Sequence, residues 1–162
     1  MSNTTLLSMT TPLEVGFGCR SLAVMQHFYQ HILGLQFISE ARVPVQVAQA
    51  YRLAQGSATV IRLQTSRGER IKLIAPDEAA PLPTEHSAYV LDHPNVMYLT
   101  FIISDVKGAM ARLAEAGVCF MTGPEPIQRR PGLYVAFLRD PEGNIVELVQ
   151  YDDVADYRPD LQ

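Results

Sequence analysis

Val60-Ile61-Arg62-Leu63-Gln64-Thr65-Ser66-Arg67-Gly68-Glu69-Arg70-Ile71-Lys72-Leu73 is the stretch that decides the fold, because the chain repeats it as Val135-Ala136-Phe137-Leu138-Arg139-Asp140-Pro141-Glu142-Gly143-Asn144-Ile145-Val146-Glu147-Leu148. In each copy an apolar strand enters a polar turn, a glycine closes the turn, and a second strand leaves. Asp-Pro-Glu-Gly is a strong tight-turn sequence, with proline second and glycine fourth. Four residues past each glycine a charged side chain interrupts an apolar strand: Lys72 in the first copy, Glu147 in the second. A doubled unit of this kind points to a pocket built from two halves, since a repeat rarely buries its apolar face alone.

Outward from the hairpins the repeat continues. Residues 13–18 read as a strand, followed by Ser21 as a helix cap. Leu22, Met25, Phe28, Tyr29, Ile32 and Leu33 recur at helical spacing until Gly34 stops the helix. A strand over 35–40 comes next, then a short helix or irregular segment at 45–54 after Pro44, then strands at 58–64 and 70–75. The second half repeats the order: strand 97–103, cap Asp105, helix 106–116, a strand near 118–121, a loop at 122–132, and strands at 133–139 and 144–150. Each half is therefore expected to be β-α-β-β-β, an α+β arrangement. Module one spans 12–75, a proline-rich linker 76–95, and module two 96–151, together one domain. A loose tail is expected at 1–11, and the C-terminal tail at 152–162 is expected to pack loosely or at a subunit contact.

Composition narrows the function classes. The 162 residues are 48% apolar and 19% charged, ordinary for a globular chain. A net charge of −4 without a basic stripe argues against nucleic acid. No apolar run reaches the roughly 18 residues of a membrane helix, and the N-terminus lacks the basic and apolar regions of a signal peptide. Cytoplasm is the default. Cys19 and Cys119 form no framework and read as reduced core thiols.

When the halves are aligned on their caps and hairpin glycines, Glu14 matches Tyr98 and Lys72 matches Glu147. Alternate strand residues share a face, so Gly16 and Gly18 lie with Glu14, and Thr100 with Tyr98. If the two sheets curl toward each other, all four polar residues converge. Glu147 stands out, because an unpaired carboxylate in a buried apolar strand is costly. His27 and His31 have metal-like spacing but lie on the first helix, and His86 and His93 fall in the linker.

These stretches resemble the vicinal oxygen chelate superfamily, which includes glyoxalase I, extradiol ring-cleavage dioxygenases, methylmalonyl-CoA epimerase, and the fosfomycin and bleomycin resistance proteins. The resemblance rests on Phe28-Tyr29-Gln30-His31-Ile32-Leu33-Gly34-Leu35, on residues 105–118, and above all on residues 137–150, and it covers about residues 13–151. It implies paired modules forming a cupped mixed sheet around a central small-molecule site, and a homodimer. In metal-using members the ligands come from the first and last strands of each module, and those places here are Glu14, Lys72, Tyr98 and Glu147. Lys72 and Tyr98 depart from the usual ligand types, and a protonated lysine cannot bind a cation.

Three functions follow as expectations. The first is a lyase or isomerase acting on a small oxygenated substrate without metal, with Lys72 polarising an oxygen, Glu147 moving a proton, and Glu14 and Tyr98 assisting. The second is a ligand-binding or antibiotic-sequestering protein of the bleomycin-resistance type, walled by Thr100, Tyr51, Phe101, Tyr134 and Phe137, with Lys72 and Glu147 as a structural ion pair. The third is a lyase or dioxygenase that keeps a divalent metal on Glu14 and Glu147. No cofactor is otherwise implied, and the expected partner is a small molecule.

Overall fold

The computed structural model describes residues 9–81, 85–92 and 96–161. The chain divides into two compact units between residues 82 and 83, inside the proline-rich stretch. His93 and most of the N-terminal tail lie outside the described residues.

Unit one holds β1 (Glu14–Gly18), α1 (Leu22–Gln26), β2 (Gln36–Val43), α2 (Val45–Ala50), β3 (Ala58–Gln64) and β4 (Arg70–Pro76). Its four strands lie in the order β1-β4-β3-β2, with β1 parallel to β4 and the others antiparallel. The chain enters α1 from Ser21 and then widens into a π-helical turn over His27–Ile32, where the Leu33 amide reaches back to the Phe28 carbonyl at 2.9 Å. Gly34 ends it at φ +82°, a conformation that favours glycine. The Phe17 and Tyr29 rings stack 5.9 Å apart, which sets this helical segment on the Val15–Phe17 face of the sheet. On that face Ile61, Leu63, Ile71 and Leu73 are buried. Alternation therefore leaves Glu14, Gly16, Lys72 and their neighbours on the opposite face.

Unit two repeats the plan with β5 (Tyr98–Ile102), α3 (Val106–Glu115), β6 (Ile127–Arg130), β7 (Leu133–Arg139), β8 (Ile145–Tyr151) and α4 (Val154–Tyr157). The strand order is β5-β8-β7-β6, again with the first strand parallel to the last. Asp105 caps α3 by accepting from the Gly108 amide at 2.8 Å, and the Val106 amide donates to the Gln150 side chain at 3.0 Å. Gln150 shares its face with Val146 and Leu148, so α3 covers that side, where Ala136, Leu138 and Val146 are fully buried. Among the described residues no helix is long and apolar enough to cross a membrane.

Several expectations are corrected. The strand expected near 118–121 is reduced to one bridge between Phe120 and Leu138. The second strand of module two is instead β6, within the stretch expected as a loop. Its Ile127-Gln128-Arg129-Arg130 is exposed throughout, so as an edge strand it carries no apolar alternation to read. Cys119 is exposed rather than core, whereas Cys19 is buried, and neither forms a disulfide. Within the C-terminal tail Val154–Tyr157 forms α4, which buries no residue, and Tyr157 stacks on Tyr151 with ring centroids 3.9 Å apart.

Candidate functional site

The hairpin of module two is built around Asp140. Its carboxylate, 4% exposed, accepts from the Glu142 and Asn144 amides at 3.0 and 2.9 Å and from the Asn144 side chain at 2.8 Å. Gly143 closes the turn at φ +91°. Arg139 then spans outward, donating to the Gly143 carbonyl at 2.8 Å and to the Ser87 carbonyl at 2.7 Å. The His86 ring lies directly over Gly143, where a β-carbon would sit 2.1 Å from its Cε1. His86 is thus a packing residue, and His27 and His31 are exposed on their helical segment with ring centroids 5.4 Å apart.

This turn sets the register that aligns the polar residues. Thr100, Glu147 and Phe137 form one row across β5, β8 and β7. The Thr100 hydroxyl donates to Glu147 Oε2 at 2.6 Å. One step along, Tyr98 packs edge-on to Phe137 with centroids 5.8 Å apart. The face opposite α3 therefore carries a hydrogen-bonded carboxylate beside an aromatic pair whose tyrosine is 45% exposed. Phe101 aligns with Leu148 on the α3 side, away from Thr100 and Glu147. Tyr134 lies near the β6 edge, accepting from Gln128 at 3.3 Å.

In module one the corresponding row is Gly16, Lys72 and Arg62, flanked by the row Glu14, Arg70 and Gln64. Lys72 Nζ lies 3.8 Å from Glu14 Oε2, and Arg70 Nη1 lies 3.6 Å from Glu14 Oε1. Arg70 is steadied by a 2.7 Å hydrogen bond to Gln64. A β-carbon on Gly16 would meet Lys72 Cε at 3.8 Å, so the lysine stem runs over this glycine. Within its own module Lys72 therefore pairs with Glu14. Tyr51 ends α2 and is 76% exposed.

The donor set does not fit a divalent metal. Glu14 already faces two cations, and an ammonium at Lys72 repels a metal ion rather than ligating it. Among the described residues no three His, Cys, Asp or Glu side chains group together.

Arg62 and Arg70 were not singled out from the sequence. Counting outward from the Ser66–Gly68 turn would have found them, because antiparallel pairing sets Arg62 opposite Lys72 and Gln64 opposite Arg70.

Comparison with known proteins agrees with this architecture. Residues 13–148 match the model of the glyoxalase/bleomycin resistance protein/dioxygenase superfamily. The fold is similar to that of a glyoxalase family protein from Bacillus cereus, with 21% identity, TM-score 0.72, and coverage of 93% of this chain and 98% of that one. It is also similar to a glyoxylase/bleomycin resistance protein/dioxygenase domain from Frankia, with 19% identity, TM-score 0.65, and coverage of 89% and 93%. A glyoxalase family protein from Enterococcus faecalis aligns at 16% identity and TM-score 0.61, over 90% and 99% of the two chains. No curated protein matches the sequence. With two modules of this topology and a family model spanning nearly all of both, the chain belongs to the glyoxalase/bleomycin resistance protein/dioxygenase superfamily.

Proposed function

We propose that this protein is a lyase or isomerase acting on a small oxygenated substrate, and that it works without a resident divalent metal. The observation that carries the reading is the 2.6 Å hydrogen bond from Thr100 to Glu147 on the face left open by α3. It holds the carboxylate in one orientation and leaves its other oxygen available as a base. The Tyr98 and Phe137 rings beside it suit the flat face of a carbonyl compound. In the proposed step a carbon–hydrogen bond next to a carbonyl breaks and its proton passes to Glu147. The electron pair moves onto the carbonyl oxygen as an enolate, which the Tyr98 hydroxyl meets as hydrogen-bond donor. Return of the proton to the opposite face gives an epimer, and departure of a β-substituent gives an elimination product. The cation Lys72, beside Glu14 where metal-using relatives place ligands, supports metal independence.

The test is hydrogen exchange in D2O, with the protein first treated with EDTA and then offered a panel of small 2-oxo and 2-hydroxy carbonyl compounds. The expected result is deuterium entering one substrate next to its carbonyl, with loss of that signal in Glu147→Gln. Exchange that appears only after adding a divalent ion would overturn the reading. Tight binding with no exchange would favour the second reading, a ligand-sequestering protein, which the exposed Tyr98–Phe137 pair also supports.

A further inference from the structure

Module one presents an unbalanced group of charges on its open face. Arg62 and Lys72 stand directly opposite each other on β3 and β4, and Arg70 lies one alternation along β4. Like charges facing across a ladder destabilise it. Glu14 offsets part of this, with its two oxygens directed at Arg70 and Lys72 at 3.6 and 3.8 Å. Those distances are those of loose ion pairs rather than short, charge-assisted hydrogen bonds. Arg62 has no hydrogen bond or ion pair to any described residue. Two cations thus share one carboxylate and a third, Arg62, stands beside them, on a surface whose side chains are only about a third exposed, at 31–37% for Glu14, Arg70 and Lys72.

The overall charge of the chain is −4, so this local excess of positive charge runs against the whole. Gly16 carries no side chain in the Lys72–Arg62 row, and the Lys72 stem and Ile74 fill the space over it, with Ile74 Cδ1 and Lys72 Cε 3.4 and 3.8 Å from where a β-carbon would sit. Gln64 accepts from Arg70 Nε and so anchors one edge of its guanidinium.

From this arrangement we infer that the open face of module one binds the anionic group of a small molecule, a carboxylate or a phosphate, between Arg62 and Lys72 with Arg70 at its edge. A guanidinium offers two parallel N–H donors to either group, and the ammonium supplies a third direction of approach. The anion relieves the Arg62–Lys72 repulsion on binding, which gives the face its preference for anions over neutral ligands. Under the proposed function this deepens the substrate class, from small oxygenated molecules to small oxygenated acids or phosphate esters. The binding itself needs no turnover.

The experiment is an NMR titration of the full chain with inorganic phosphate and, separately, acetate, following the amides of residues 60–64 and 70–74. Saturable shifts at these amides are expected with one of the two, and the tighter probe names the group. Arg62→Gln is expected to weaken that affinity roughly tenfold, and Lys72→Met by a similar factor. Arg112→Gln, which removes an arginine paired with Asp105 on α3, is expected to change nothing. Shifts that are absent with both probes, or unchanged in Arg62→Gln, would overturn the inference. The two readings fail separately. Absent deuterium exchange with phosphate or acetate still bound sinks the catalytic reading while supporting this one. Exchange that proceeds with neither anion bound overturns this one alone.

Discussion

Thr100 and Glu147 face each other across the parallel pair β5–β8, joined by a 2.6 Å hydrogen bond from hydroxyl to carboxylate. In module one the residue matching Thr100 in the ladder is Gly16, and the residue matching Glu147 is Lys72. A donor hydroxyl beside an acceptor carboxylate has become a bare glycine beside a cation. The same backbone plan thus sets a carboxylate at this position in one module and a cation in the other.

Thr100→Val removes the hydroxyl and keeps the shape. Because Thr100 is exposed, stability should change by less than about 1 kcal/mol. Deuterium exchange should fall roughly tenfold as Glu147 loses its fixed orientation. A variant that exchanges as fast as the native protein would show that Thr100 does not position Glu147.

Lys72→Glu places a second carboxylate beside Glu14 and removes the repelling ammonium. The native protein should show no rise in thermal midpoint with added Mn, Ni or Zn ions. The variant should gain about 3 °C or more at saturating ion, as expected for a ligand that binds only the folded state. A native protein that already responds would contradict the metal-independent reading.

Gly143→Ala meets two obstacles. Its φ of +91° disfavours a side chain, at about 1–2 kcal/mol. The new methyl also strikes the His86 ring. Chemical denaturation should show that His86→Ala recovers part of the loss, because only the second obstacle involves the imidazole. Additive effects of the two substitutions would mean that the contact carries no energy.

Asp140→Ala leaves the Glu142 and Asn144 amides of a buried turn without their acceptor. We expect a loss of about 3 kcal/mol in denaturant unfolding. An effect below about 1 kcal/mol would mean that water replaces the carboxylate without cost.

Asp77 gives a pH dependence with a definite sign. Its hydrogen bond from Arg42 at 2.6 Å, and then one from Ser57 at 2.6 Å, hold its carboxyl below the ordinary range. A depressed carboxyl pKa contributes stability above the ordinary carboxyl range, and that contribution disappears as pH falls through the lowered value. Thermal midpoints measured from neutral pH down to about pH 2 should therefore fall less steeply in Asp77→Asn than in the native protein. Parallel acid limbs would rule out a role for this carboxylate.

Local signals carried most of the fold. The paired glycine turns, the Asp105 cap and the helix stop at Gly34 depend on neighbours within a few residues, so they are legible in the chain. The β6 strand was not, since an exposed edge strand buries no side chains and leaves no alternating pattern. The π-helical widening at His27–Ile32 was also hidden, because it shifts hydrogen bonds by one residue without changing which side chains are apolar.

The site divides in the same way. The sequence alone determined that two modules would each place one polar residue on a first strand and one on a last strand, because strand periodicity and the internal repeat suffice for that. Tertiary structure decided which groups these residues meet: Lys72 with Glu14, Glu147 with Thr100, and Arg62 opposite Lys72. Those partners lie on different strands, and their pairing follows from register and side-chain direction, which exist only once the sheets have formed.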